Sequence, residues 1–223
     1  MREGLQEELD ELGNGLQEEG RITAHAVAEA TRALVDWSVE AFEATLAAEA
    51  EVKHHYHLTE QRVETIIARQ APVASDLRLV LAALHINRSI ERAAHNAARV
   101  AHLATPPPRR ALVEEAVITD ALRAMGERGA EMIRTSMDAF ERRDANATRL
   151  LSTLDELVDR ENEKIADTIL AIDIADPELR QWASRMLFAG RWLERVGDHA
   201  VNVAERVTYM VTGEATGQPG DGA

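Results

Sequence analysis

The chain has 223 residues, no cysteine, a formal net charge of −14, and an apolar fraction of 45% with only 4% aromatic residues. These values exclude disulfides, thiolate metal sites and cysteine nucleophiles, and they argue against nucleic acid or an anionic membrane as a partner, since both demand a basic face. A core of Ala, Leu, Val and Ile beside abundant Glu and Arg is the composition of a helical protein. The charged start MREGLQEELDEL and the lack of any apolar run of about 18 residues predict a soluble, cytoplasmic chain with no membrane insertion.

Leu5, Leu9, Leu12 and Leu16 recur at spacings of four and three and continue through Ile22, Val27, Ala30 and Leu34, which predicts a long amphipathic helix over residues 1–36. Gly13, Gly15 and Gly20 weaken it and predict fraying or a kink before Arg21. Asp36 or Ser38 can cap a second helix that runs to about Arg69, Pro72 stops it, and Ser75 or Asp76 opens a third over about 74–104. Pro106, Pro107 and Pro108 in succession cannot be helical, so residues 105–110 read as a joint. Helices follow over about 111–142 and 145–172, and Asp176-Pro177 opens a sixth that ends near Val211. The tail 214–223 has nothing to bury and is expected to be disordered.

The halves repeat one another. Residues 90–101, IERAAHNAARVA, align with 193–204, LERVGDHAVNVA, at a shift of 103, and Glu49-Ala50-Glu51-Val52-Lys53 corresponds to Asp155-Glu156-Leu157-Val158-Asp159. The expected fold is therefore all-α: two tandem three-helix bundles related by internal repeat, over residues 1–104 and 111–213, each folding semi-independently across the proline joint.

The stretch 193–214 carries the chemistry. At about 100° per residue, Glu194, Asp198 and Glu205 share one edge of the sixth helix, beside a stripe that includes Leu193, Gly197, Ala200 and Val201. Gly197 within a helix costs about 1 kcal/mol relative to alanine and marks a close helix approach. Asp155 and Asp159, one turn apart, flank the stripe Leu151, Val158, Ile165 and Ile169 on the fifth helix. If the two stripes face each other, four carboxylates converge, and such a group is driven to protonate unless a cation joins it. Oxygen-only ligation suits Mg, Mn, Ca or iron. Asn162 and Glu205 lie on the same lines as secondary candidates. His199 falls on the opposite side with Arg195 and Arg206, where surface or inter-helix hydrogen bonding is its expected role. The competing reading of the acidic edge is a solvated face of an amphipathic helix.

The run Glu194-Arg195-Val196-Gly197-Asp198-His199-Ala200, followed by Asn202 and Val211-Thr212-Gly213-Glu214, together with Pro72-Val73-Ala74-Ser75-Asp76-Leu77-Arg78, resembles the signature of the PhoU family of phosphate-uptake regulators. The resemblance spans nearly the whole chain, though the first 40 residues or so match in helical pattern alone. It implies a six-helix, PhoU-like fold and a metal-binding adaptor that represses the phosphate-starvation response and uptake when phosphate is plentiful. It also implies two partners, the ATPase subunit of the phosphate ABC transporter and a sensor histidine kinase, and homodimer formation. Family members carry E(D)xxxD motifs that bind iron or zinc, and Asp155–Asp159 and Glu194–Asp198 match that pattern.

The first half departs from it. His95 stands where the second half has Asp198, and Lys53 where it has Asp159, while Glu49 and Glu91 remain. One expectation is that Lys53 pairs with Glu49 or Glu91 in place of a metal. The other is a mixed histidine–carboxylate site, because seven of the eight histidines lie in this half and His95 and His102 share a face with Glu91. The case for an enzyme is thin: one Glu-x-x-His, Glu51 to His54, stands where di-metal centres need two, and there is neither a Walker-type loop nor a nucleophile elbow. The rival classes are a carboxylate-bridged metal enzyme and a metal-free structural adaptor.

Overall fold

The computed structural model describes residues 3–107, 113–172 and 176–214. Among them are six helices and no strand: α1 (Glu3–Asp36), α2 (Val39–Gln70), α3 (Ala74–Ala101), α4 (Val113–Arg142), α5 (Ala147–Ala171) and α6 (Pro177–Thr212). Of the proline joint, the structure describes residues only as far as Pro107, and of the tail only Glu214; the expected disorder of the rest lies outside the described residues. Among the described residues no helix is long and apolar enough to cross a membrane.

Local chemistry sets the helix ends. Ser38, rather than Asp36, caps α2, its Oγ accepting from the Ala41 N–H at 3.1 Å. Asp176 caps α6 through the Glu178 N–H at 2.9 Å, Pro177 occupies the first turn, and Gly213 closes the helix in the left-handed region at φ 76°. α3 begins at Ala74 with no side-chain cap and ends at Ala101, three residues before the expected boundary. Its last turn unwinds through Leu103 and Ala104, whose N–H groups donate to Val100 and Ala101, because the approach to Pro106 disfavours helical backbone.

The expected fraying or kink does not interrupt α1, which is helical through all three glycines. Gly13 and Gly15 have nothing within 4 Å of a would-be Cβ, whereas a Cβ on Gly20 would collide with Met137 of α4. Gly20 therefore serves the approach of α4 instead of breaking α1.

α1, α3, α6 and α4 close a ring in that order, with α2 lying over α1 and α3, and α5 over α4 and α6. The repeat-related helices thus meet across the repeat boundary: α1 crosses to α4 and α3 to α6. Both pairs are antiparallel. Arg123 of α4 reaches Asp36 at one end of α1 and Gln17 reaches the Met137 carbonyl toward the other. Likewise, Arg78 near the start of α3 donates to the Met210 carbonyl of α6 at 3.4 Å, while Arg99 near its end stacks on Trp192. Alanines 82, 83, 93, 94 and 97 of α3 are fully buried, and such small side chains permit close helix approach. All six helices contribute to one continuous core. A third helix in each repeat still leaves apolar surface on α1, α3, α4 and α6, and the other repeat is what covers it.

Glu19 breaks the pattern of α1. It is fully buried, neither carboxylate oxygen has a hydrogen-bond partner, and burial with the nearby Glu91 pushes its pKa to about 9.

Candidate functional site

α5 and α6 touch through two glycines. A Cβ on Gly197 would lie 2.7 Å from Asp155 Oδ1, and one on Gly190, two turns earlier, 2.5 Å from Asn162 Oδ1. Asp155 and Asn162 are likewise two turns apart on α5, so each polar side chain of α5 settles over a gap in α6. That registry brings Asp155, Asp159, Glu194 and Asp198 into one electrostatic group.

Asp155 is the most perturbed member. Burial first, then the charges of Asp159, Asp198 and Glu194, push its pKa to about 6, and its Oδ1 is buried with no hydrogen-bond partner. Burial and then Glu194 likewise raise Asp159 and Asp198, with Arg191 opposing both shifts. Glu194 is held by Arg191 and by the Asn162 amide, which donates to its Oε2 at 2.5 Å. Asn162 therefore orients Glu194. Glu205 stands two turns beyond Asp198 and does not enter this group.

The donor set is all oxygen, and an unpartnered buried oxygen belongs to it, which is the chemistry of a hard-cation site. Yet among the described residues no three His, Asp or Glu side chains are arranged so that they could hold a metal ion. Unpaired carboxylates repel, so ligation requires them to turn inward once a cation is present.

The same face of α6 opens onto α3. Between the two helices lies a cleft of about 690 Å³ whose walls include Glu91, Arg92, His95 and Arg99 from α3 and Arg195, Asp198 and His199 from α6. Asp155 closes one side of it. The two stretches that repeat one another, 90–101 and 193–204, thus face one another. The PhoU domain description matches residues 16–104 and again residues 122–207. The chain belongs to the PhoU domain family.

The accessory protein PhoU homolog of the phosphate-specific transport system in Pseudomonas aeruginosa is 29% identical over 209 residues, covering 92% of this chain and 84% of that protein. The crystal structure of PhoU from the same organism superposes with a TM-score of 0.83 at 28% identity, covering 94% of this chain and 99% of that one. The phosphate transport system regulatory protein PhoU of Streptococcus pneumoniae has the same fold, with a TM-score of 0.84 at 23% identity over 96% of this chain and 100% of its own.

The two PhoU domains differ at their equivalent sites. In the first, His95 Nδ1 lies 2.8 Å from Glu49 Oε1, and Arg99 Nε donates to His95 Nε2 at 3.1 Å. Because Nε2 accepts, the ring proton is on Nδ1 and is donated to Glu49. The expected Lys53 pairing is not formed: Lys53 is exposed and makes no ion pair among the described residues, since the shorter His95 already occupies Glu49. Glu91 is half-buried and faces Glu19 electrostatically. Of the histidine alternative, His95 alone reaches a carboxylate of this group, while His102 instead packs edge-on against Phe42.

The sequence reading did not foresee where two side chains sit, His199 and Trp192. His199 lines the cleft, and burial, then Arg92 and Arg195, push its pKa down to about 4. Trp192 lies under two guanidiniums, those of Arg99 at 4.3 Å and Arg195 at 4.9 Å from its ring centre. Its position opposite Arg99 depends on the α3–α6 register, which no local pattern reports.

Proposed function

We propose that this protein is an accessory regulator of a phosphate transport system, an adaptor that restrains uptake and phosphate-starvation signalling when phosphate is plentiful. The reading rests on membership of the PhoU domain family and on relatives named as accessory or regulatory proteins of such systems, not as enzymes. Its partners are the transporter's ATPase subunit and a sensor histidine kinase, and it works as a homodimer in the cytoplasm.

The second domain carries the metal centre in this proposal. Asp155, Asp159, Glu194 and Asp198 supply the ligands, with Asn162 holding Glu194 in place. The observation that supports it is the buried, unpartnered Asp155 Oδ1 within a group of mutually destabilising carboxylates. Iron or zinc follows from the family pattern, Mg or Mn from the oxygen donors. When bound, such a cation neutralises the acidic cluster and ties α5 to α6. The test is affinity capture from source cells grown at high and low phosphate, with mass spectrometry. Recovery of the transporter ATPase or a sensor kinase, changing with phosphate, is the expected result, and recovery of neither under both conditions overturns the reading.

A further inference from the structure

The cleft between α3 and α6 gathers three guanidiniums on two facing helices. Arg92, Arg99 and Arg195 all line it, and none makes an ion pair with a carboxylate among the described residues. Arg99 and Arg195 are individually positioned. Arg99 is anchored by its Nε–H bond to His95 and by stacking on Trp192, which leaves its terminal N–H groups uncommitted. Arg195 lies over the same indole ring, and Arg92 and Arg195 both impose their field on His199. Guanidiniums on facing helices repel one another, and an anion seated between them would relieve that repulsion. Guanidinium N–H groups match the oxygens of a tetrahedral oxyanion in pairs, a match that ammonium groups do not make.

From this geometry we infer that the α3–α6 cleft binds an oxyanion of the phosphoryl class, held by Arg92, Arg99 and Arg195. That the site takes an oxyanion stands on the arginines alone; that the oxyanion is phosphoryl rests on the regulatory reading above. The volume of about 690 Å³ is larger than one inorganic phosphate needs, so pyrophosphate and nucleoside triphosphates fall within the class. The acids of the cleft, Glu91, Asp155 and Asp198, balance the three arginines formally, so the cleft is selective by placement and not a general anion trap. Asp155 and Asp198 belong to the carboxylate cluster on the α5 side, whereas Arg92 and Arg99 stand on α3. An oxyanion seated between Arg99 and Arg195 would bridge the two PhoU domains at their signature helices.

The experiment is isothermal titration of the full chain, with Mn²⁺ present, using inorganic phosphate, pyrophosphate, ATP and sulfate as separate probes. At least one phosphoryl probe should bind more tightly than sulfate, and Arg99→Gln and Arg195→Gln should each weaken it about tenfold, the scale of one lost charge-assisted contact. Arg149→Gln, exposed on α5 and outside the cleft, should leave it unchanged. Mn²⁺ binding measured alone should be retained or strengthened in both cleft variants, because each removes a nearby positive charge. No binding of any phosphoryl probe by folded wild type, or binding unaffected by both substitutions, overturns the site. Parallel loss of Mn²⁺ and phosphoryl binding assigns the arginines a structural role and overturns it too. Sulfate binding equal to phosphate overturns the phosphoryl assignment, while the partner capture described above tests the regulatory reading separately.

Discussion

The two PhoU domains present one backbone arrangement with opposite electrostatic outcomes. In the second, Asp155 meets Asp198, Asp159 and Glu194, and burial with mutual repulsion raises the pKa of each aspartate. In the first, the residues equivalent to Asp155 and Asp198 are Glu49 and His95, and they hydrogen-bond at 2.8 Å. Exchange of that carboxylate for imidazole turns a pair of mutually repelling acids into one that satisfies itself. The charge exchange is completed by Arg99, whose counterpart Asn202 in the second domain could not donate a charged N–H. Internal repetition therefore conserves the position of a site, while side-chain chemistry decides whether it needs a ligand.

Four experiments bear on that contrast. The largest effect should come from metal analysis of untagged protein: Asp155→Ala and Asp198→Ala should each lose most of the bound metal, whereas Glu49→Ala should keep it. Full retention in both aspartate variants, with helicity unchanged, ends the proposal for the second-domain centre. Equal loss in Glu49→Ala would place the metal in the first domain instead.

Next is Glu19, the first domain's own buried acid. Its pKa is about 9 when folded, well above the ordinary carboxyl value, so the folded state holds a proton that the unfolded chain releases. Stability is then present in full below the unfolded pKa and falls as pH rises through the folded one, by about 3 kcal/mol between pH 4.5 and 7 at most. Glu19→Gln, which cannot ionise, should raise the melting temperature at pH 8 and do little at pH 4.5. A uniform change at both pH values would mean that packing, not ionisation, dominates this position.

Asp155 obeys the same sign with a smaller reach. Its folded pKa of about 6 makes the metal-free protein lose stability as pH rises from 4 to 6 and no further above that. Asp155→Asn should gain about 1 kcal/mol at pH 7 in the presence of chelator, a figure reduced for the group's partial exposure. With metal added the order should reverse, because the variant has lost a ligand. Denaturant melts with chelator and with Mn²⁺ check both halves of this statement.

The smallest effect belongs to the His95–Glu49 pair. Both side chains are partly exposed, at 48% and 31%, so His95→Ala should cost only about 0.5–1 kcal/mol. His95→Asp should cost more without metal, by recreating the repulsion of the second domain, and should recover when Mn²⁺ is supplied. Failure of metal to rescue His95→Asp would show that Lys53 or the backbone, and not the imidazole, separates the two domains' behaviour.

Much of the architecture was legible from the chain. Apolar spacing and caps are local, and they located all six helices to within a few residues; Ser38, Asp176 and Gly213 do what their types and positions imply. The internal repeat was visible because two stretches with the same packing duty retain the same pattern of small and apolar residues. The second-domain acids could be grouped because spacing of four puts residues on one helix face, and Gly197 marked where the facing helix comes near.

Tertiary structure decided the rest, for a physical reason common to every case. Helical periodicity states which face of an element is apolar but not which neighbour covers it, so the closed ring of α1, α3, α6 and α4, and the single core it creates, was beyond reach. Glycines read as helix breakers, and only the arrival of Met137 explains why Gly20 is a point of contact. Lys53 was the residue expected to neutralise Glu49; reach, and the donor Arg99 one turn along α3, put His95 in that place instead. Trp192 between two arginines, and the cleft they line, exist because α3 and α6 run antiparallel in one register, a relation between residues about a hundred positions apart that no local pattern encodes.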